Sequence, residues 1–397
     1  MSDKLKLKIP QGMRDWLPGE ASHKRKLIND LLQCISLWGY EEINTPLLEY
    51  YQAFLSEADG GGIDQIYKLV DRDGRILALR PEMTIPIARV VSSKLPPSYP
   101  WRLMYGGEVF RYEEIQTGRQ REFCQVGVEL LGSAGAEADS EVLALAVEAL
   151  CSVGLKNFTI SLGHTGVLKG LLESLAWEEV QLKQVRTLIL EKDFVGLSNY
   201  LLSRGMKEKQ IKEVVGFLTC QLSPDDLAKE WRDLPEGILV ALADLQKIIN
   251  FLKVYGYDDY IQIDLSTLRN QEYYTGMVFE IYTEGIGYPI GGGGRYDQLL
   301  SNWGTACPAT GFALGVERIL LSLSREEKSE EEKPILLVGT TAQQVIPQAL
   351  QLRKEGHKVM TEIGEISRTE AERLALSKRA VLSWCKEESE WGEGNKR

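Results

Sequence analysis

FRYEEIQTGRQREFCQVGVELLG, residues 110–132, is the stretch on which the reading of this chain turns. An apolar, β-prone segment runs into Arg111. A polar loop with Gly118, Arg119 and Arg121 follows, and the chain returns through Phe123, Gln125, Gly127 and Glu129 with polar or small residues at every second position. Successive side chains of a strand point to opposite faces, so residues two apart share a face. Two strands joined by this loop put Arg111 with Glu113 on one face of the first, and Gln125, Gly127 and Glu129 on one face of the second. The arginine face offers donors of the kind that grip phosphate. The second face offers acceptors suited to a small polycationic ligand. Most charge-rich hairpins are simply solvated. Here Gln125 and Glu129 alternate with Val126, Val128 and Leu130, and an apolar back with an acceptor-bearing front suits a pocket wall.

Composition bounds what the rest can be. At 397 residues, 44% apolar and 26% charged, the chain has the length of two or three globular domains. No run of eighteen apolar residues marks a membrane span. The start, MSDKLKLKIPQG, lacks the apolar stretch of a secretory signal, so a cytoplasmic protein is expected. Cys34, Cys124, Cys151, Cys220, Cys307 and Cys385 are scattered, and only His23, His164 and His357 accompany them. The expectation is free thiols and no bound metal. A net charge of −11 argues against a broad nucleic-acid-binding face.

Working outward, Leu27, Leu31, Ile35 and Trp38 recur at helical spacing over 20–38, and Gly39 ends that helix before a strand in EEINTPLLEYY. YKLVDRDGRILALR reads as a hairpin turning at Asp73-Gly74. Residues 137–152 read as a helix, NFTISLGH as a strand, and 165–255 as helix after helix punctuated by Gly196, Gly205, Pro224, Pro235 and Gly256. Strands resume at YIQIDLS and MVFEIYT, and a helix over 311–324 closes the core. The charged run 325–334 reads as a linker. Beyond it, 335–397 reads as strand, helix, strand, helix, the last helix running through SRTEAERLALSKRAVLSW.

The opening stretch resembles motif 2 of class II aminoacyl-tRNA synthetases, and of histidyl-tRNA synthetase in particular. Six further segments resemble that family in the same order: PQGMRDWLP (10–18), INTPLLE (43–49), LRPEMT (79–84), LRNQEYYTGMVFE (268–280), GGGGRYD (291–297) and GFALGVERIL (311–320). The resemblance implies an α+β fold. Its core, residues 1–324, is class II synthetase-like on a mixed, mainly antiparallel sheet, with a helical insertion at 165–255 and a small truncated α/β segment at 335–397. It implies a histidine site in which Glu82, Thr84 and Gln125 meet the ammonium, Arg269 the carboxylate, Glu129 and Tyr274 the ring nitrogens, while Tyr296 closes the pocket. Arg111 and Arg318 are the nucleotide-phosphate candidates by the same route. A homodimer through residues 20–50 is also implied.

Three departures separate this sequence from a working synthetase. The segment after Pro334 is shorter than that family's anticodon-binding domain. Glu114-Ile115 stands where the family has Arg-Pro, and a carboxylate there repels an acceptor-stem phosphate. Asn270 and Glu272 replace a Gly and an Asp. Histidine recognition without tRNA contacts resembles the synthetase paralogues that act as regulatory subunits of ATP phosphoribosyltransferase, and LILEKDFVGLSNYL (188–201) resembles their helical pattern. That resemblance implies a non-catalytic chain with no cofactor of its own. It also implies a short-form catalytic transferase as partner and histidine as effector of the first step of histidine biosynthesis. The alternatives are an active histidyl-tRNA synthetase with a reduced C-terminus and a stand-alone histidine-sensing protein.

Overall fold

The structure is a computed structural model and describes residues 7–60, 63–96, 98–112, 120–175, 177–228, 234–267, 274–326 and 333–385. Two compact units meet in sequence at Glu326 and Glu327. In the first, the described residues form a nine-stranded sheet. Its order is Glu41–Glu42, Trp101–Phe110, Glu122–Leu131, Ala309–Gly315, Gly291–Arg295, Met277–Thr283, Phe158–His164, Ile261–Asp264 and Gln221–Leu222. The first pair of neighbours and the pair Phe158–His164 with Ile261–Asp264 are parallel, and the other neighbours run antiparallel.

Strict alternation gives this sheet two faces. Cys124, Val126, Val128 and Leu130 pack into a large core with Leu27, Leu31 and Ile35 of the helix Glu20–Ser36 and with the apolar body of the helix Gly135–Ser152. Leu103, Tyr105, Val109 and Leu131 turn to the other face and join Ile85, Ile87, Ala88 and Val91 of the helix Thr84–Lys94. That second face carries Gln125, Gly127 and Glu129. A small antiparallel sheet borders it, built from Leu48–Tyr50, Ile76–Leu79 and Lys68–Val70. The turn between the last two strands closes where Gly74 adopts φ 76°, a left-handed conformation that glycine takes without steric cost.

Between Phe158–His164 and Ile261–Asp264 lie the helices Thr165–Leu175, Glu179–Leu190, Phe194–Ser203, Glu208–Leu218 and Glu236–Tyr255. One strand, Gln221–Leu222, interrupts this helical run and adds itself to the sheet edge, a pairing too short to leave a period-2 signal. Near the cleft, Thr165 N–H donates to Gly276 O at 3.0 Å, and Asp244 of the insertion's last long helix approaches His164 Nε2 at 3.6 Å, while its apolar residues join the main core.

The second unit is a parallel three-stranded sheet with Ile335–Gly339 between Val359–Ile363 and Val381–Trp384. Leu336 and Val338 pack against Ala371 and Ala375 of the helix Arg368–Ser377, while Leu337 packs against Val345 and Ala349 of Ala342–Lys354, so the helices cover opposite faces. This corrects the reading of one helix through Trp384. The helix stops at Ser377, Arg379 takes a left-handed φ of 51°, and the β-prone VLSW that follows pairs as a strand.

Candidate functional site

The second face of the large sheet opens into a cleft lined by Glu82, Met83, Thr84, Tyr105, Arg111, Gln125, Glu129, Tyr274, Gly292, Gly293, Tyr296, Gly311, Phe312 and Ala313. Its floor follows from register. Tyr105 stands opposite Gly127, Gly127 opposite Ala313, and Ala313 opposite Gly292. One row over, Glu129 stands opposite Gly311, and Gly311 opposite Gly294. The floor is thus mostly backbone, which leaves height for side chains entering from the rim. A Cβ on Gly127 would collide with Phe312 O and the Tyr105 hydroxyl, and one on Gly311 with the Glu129 carboxylate. The glycine run 291–294 is therefore a paired strand whose backbone lies against its neighbours.

The polar groups converge from separate elements. Glu129 is 2% exposed; its Oε1 accepts from the Thr84 hydroxyl at 2.8 Å, and its Oε2 accepts from the Tyr296 hydroxyl. Burial pushes the Glu129 carboxyl up to about 8, against the pull of the Tyr296 and Thr84 hydroxyls, and Glu82 adds to the rise. Glu82, also buried, accepts from the Ile85 and Thr84 amides at 2.7 and 3.2 Å, and so satisfies the first donors of the helix Thr84–Lys94. Burial raises its carboxyl too, opposed by the Ile85 amide and by Arg111. Gln125 Oε1 is buried and accepts no hydrogen bond among the described residues. A buried acceptor left in this state is costly, and an incoming ammonium or N–H would repay it.

The structure thus brings together Glu82, Thr84, Gln125, Glu129, Tyr274 and Tyr296 of the sequence-predicted set, with Arg111 beside them. Arg111 donates from Nε to Pro81 O at 2.7 Å, and its guanidinium stands 5.4 Å from the Phe123 ring. Arg318 does not line the cleft. It donates to Pro289 O at 2.6 Å and covers the Tyr288 ring at 5.1 Å. Its neighbour Glu317, the alternative partner for Arg318 on sequence grounds, instead accepts from the Cys124 amide and from Lys24 at 2.8 Å. Arg269, Glu113, Gly118, Arg119, Glu114-Ile115, Asn270, Glu272 and Tyr273 lie outside the described residues.

Sequence reasoning missed three contributors. Tyr105 props the floor, donating to Phe312 O at 3.3 Å. Arg295, adjacent to Tyr296, forks onto Asp139 at 3.0 and 2.9 Å and reaches Asp297 at 2.9 Å. Its backbone carbonyl accepts from Thr275 N–H at 2.8 Å, so one residue braces the segments of Tyr274 and Tyr296 together. Gly12 accepts the Arg121 amide through its carbonyl at 2.8 Å, which ties the 10–18 segment to the motif 2 hairpin. Asp139 is one of four acids in the helix Gly135–Ser152, and nothing local points to its partner.

A family profile described as histidyl-tRNA synthetase matches residues 12–319. The chain is 39% identical to the ATP phosphoribosyltransferase regulatory subunit of Moorella thermoacetica, over 98% of this chain and 100% of that one. It is 37% identical to the regulatory subunit of Halothermothrix orenii, over 96% and 92%. A solved structure described as an ATP phosphoribosyltransferase regulatory subunit/histidyl-tRNA synthetase, from Bacillus halodurans, superimposes with a TM-score of 0.83 at 32% identity, covering 95% of this chain and 98% of that one. A class II synthetase-like core shared along nearly its whole length with these relatives places the chain in the ATP phosphoribosyltransferase regulatory subunit family.

Proposed function

We propose that this chain is the regulatory subunit of an ATP phosphoribosyltransferase, acting on the first step of histidine biosynthesis, and that its cleft reads free histidine. The partner is a short-form catalytic transferase, which joins ATP to phosphoribosyl pyrophosphate; this chain catalyses nothing alone. Full-length similarity to regulatory subunits supports the role. The observation that carries the ligand assignment is the acceptor set on one strand face: Gln125 Oε1, without a donor among the described residues, and Glu129 beside it. An amino acid with an ammonium and a ring N–H supplies the donors that this face lacks. Differential binding of histidine to two arrangements of the complex would then shift the catalytic subunit between them.

Isothermal titration of the purified chain with histidine tests the site. Glu129→Ala is expected to weaken binding about 10- to 100-fold, the worth of a hydrogen bond to a charged group. Equal affinities for both proteins would remove the assignment. Reconstitution with a short transferase is expected to raise phosphoribosyl transfer, and histidine-dependent exchange of pyrophosphate with ATP by the chain alone would favour a synthetase instead.

A further inference from the structure

Two tyrosines line the cleft from separate segments, Tyr274 ahead of the strand Met277–Thr283 and Tyr296 behind the strand Gly291–Arg295. These strands pair antiparallel, and their ladder runs out at Val278 opposite Gly294. Beyond that pair Thr275 continues the junction. Its N–H donates to Arg295 O at 2.8 Å, and its Oγ1 accepts from Asp297 N–H at 3.0 Å. One residue thus grips the neighbours of Tyr296 on either side, while the Tyr296 N–H donates to Ala309 O at 2.7 Å. The Asp297 carboxylate completes the clasp: its Oδ1 accepts from Ala309 N–H at 3.0 Å and from Arg295 Nη1 at 2.9 Å. Tyr296 is 2% exposed and joins the core of Leu103, Tyr105 and Leu131, so its ring goes where this backbone puts it, onto Glu129 Oε2. Tyr274 is seated by the same strand. A Cβ on Gly294 would come within 2.8 Å of its ring, so the missing side chain makes the seat.

We propose that Thr275 is a positioning residue for the cleft: its side-chain oxygen fixes Asp297, and so sets where Tyr274 and Tyr296 stand against Glu129. This rests on the cleft being the histidine site. Thr275 is not among the lining residues, so it acts through the two tyrosines and not by contact with a ligand. The residue type suits the task. A β-branched side chain is stiff at χ1, so its hydroxyl is held in one direction. The Asp297 amide, on a half-buried residue, has its acceptor in that oxygen. A methyl group in its place leaves the amide to turn toward another acceptor, and Tyr296, one residue back, turns with it. Hydrogen bonds weaken steeply as distance and angle leave their optimum, so a small displacement of either tyrosine hydroxyl is felt in binding.

The test compares the full wild-type chain with Thr275→Val, which keeps the shape and removes the hydroxyl, and Thr275→Ser, which keeps the oxygen. Each is titrated calorimetrically with histidine at a temperature where thermal denaturation shows it folded. Thr275→Val is expected to bind histidine about 3- to 10-fold more weakly, the worth of one hydrogen bond, and Thr275→Ser to stay within about 2-fold of wild type. Thr275→Ala, which removes the oxygen and adds no methyl group in its place, is held to the same expectation as Thr275→Val. A role confined to stability would lower the unfolding temperature and leave the affinity of the folded chain unchanged. Unchanged affinity in Thr275→Val, or an equal loss in Thr275→Ser, overturns the proposal. If wild type itself does not bind histidine, the reading of the cleft fails, and the positioning claim is decided on the free chain. NMR of ring-labelled tyrosines then reports on Tyr274 and Tyr296, with Tyr274→Phe and Tyr296→Phe giving the assignments. Both signals shifting in Thr275→Val and holding still in Thr275→Ser support the claim. Signals unmoved in Thr275→Val overturn it.

Discussion

Arg295 and Tyr296 are adjacent in sequence, and each contacts a buried carboxylate, yet the two carboxylates are handled in opposite ways. Asp139, fully buried, receives a two-pronged guanidinium that also reaches Asp297 and the carbonyls of Ser133 and Gly135. Burial alone would lower the Arg295 guanidinium, but Asp139 and Asp297 raise it, while burial raises the Asp139 carboxyl against the pull of Arg295. Among the described residues Glu129 receives two neutral hydroxyls and no cation, and burial pushes its carboxyl up to about 8. The first arrangement has its counter-charge within the protein, with Asp139 Oδ1 2.9 Å from the Arg295 guanidinium and accepting no hydrogen bond among the described residues. The second has no counter-charge among the described residues, which suits the cationic ligand proposed above. A buried charge with all its partners fixes structure, and a buried acid short of a counter-charge marks a site where something cationic is meant to bind.

The largest effect that can break this contrast is at the closed centre. Asp139→Ala leaves the Arg295 guanidinium buried beside a gap and is expected to cost about 3–5 kcal/mol in urea denaturation. A loss under 1 kcal/mol would show that Arg295 finds other partners and that the pair is not the brace described. The next effect is pH dependence at the open centre. The Glu129 carboxyl is raised above its unfolded value of about 4.5, so the folded chain holds an extra proton between that pH and 8. Its contribution is full below about pH 4.5 and is lost as pH rises through 8. Glu129→Gln should therefore remove a decline on the order of a few kcal/mol across that window, measured as denaturation midpoints against pH. An unchanged profile would mean that Glu129 ionises freely in the fold. A smaller effect belongs to Thr84→Val, which strips one hydroxyl from Glu129 and should destabilise by about 1 kcal/mol while raising the Glu129 carboxyl further. The smallest is a control in the second unit. Arg368→Ala removes an exposed pair with Glu372, four residues on, and should change stability by less than about 0.5 kcal/mol.

Much of the cleft was legible in the sequence because it is written on one strand. Gln125, Gly127 and Glu129 share a face by simple alternation, and the structure keeps them there. Glu82, Thr84, Tyr274 and Tyr296 came from resemblance, and they line the same cavity. What escaped is what depends on distant pairing. Arg295 meets Asp139 across 156 residues, and Tyr105 meets Gly127 only through strand register. The glycine run carried no hint that it would be a strand, since glycine has no strand preference of its own and is held there by its neighbours on both sides. In the second unit, the alanine- and leucine-bearing segment before Lys378 hid a β-strand behind it, and only Lys378, the left-handed Arg379 and Ala380 separate the two.

The helical insertion meets the cleft rim along one stretch of backbone. The first turn of its leading helix hangs from Gly276 O, two residues from Tyr274, and its longest helix returns to His164 in the strand beside it. Cleft rim and insertion thus share the short backbone stretch from Tyr274 to Gly276, which ties the rim to the first turn of a helical segment running from Thr165 to Tyr255.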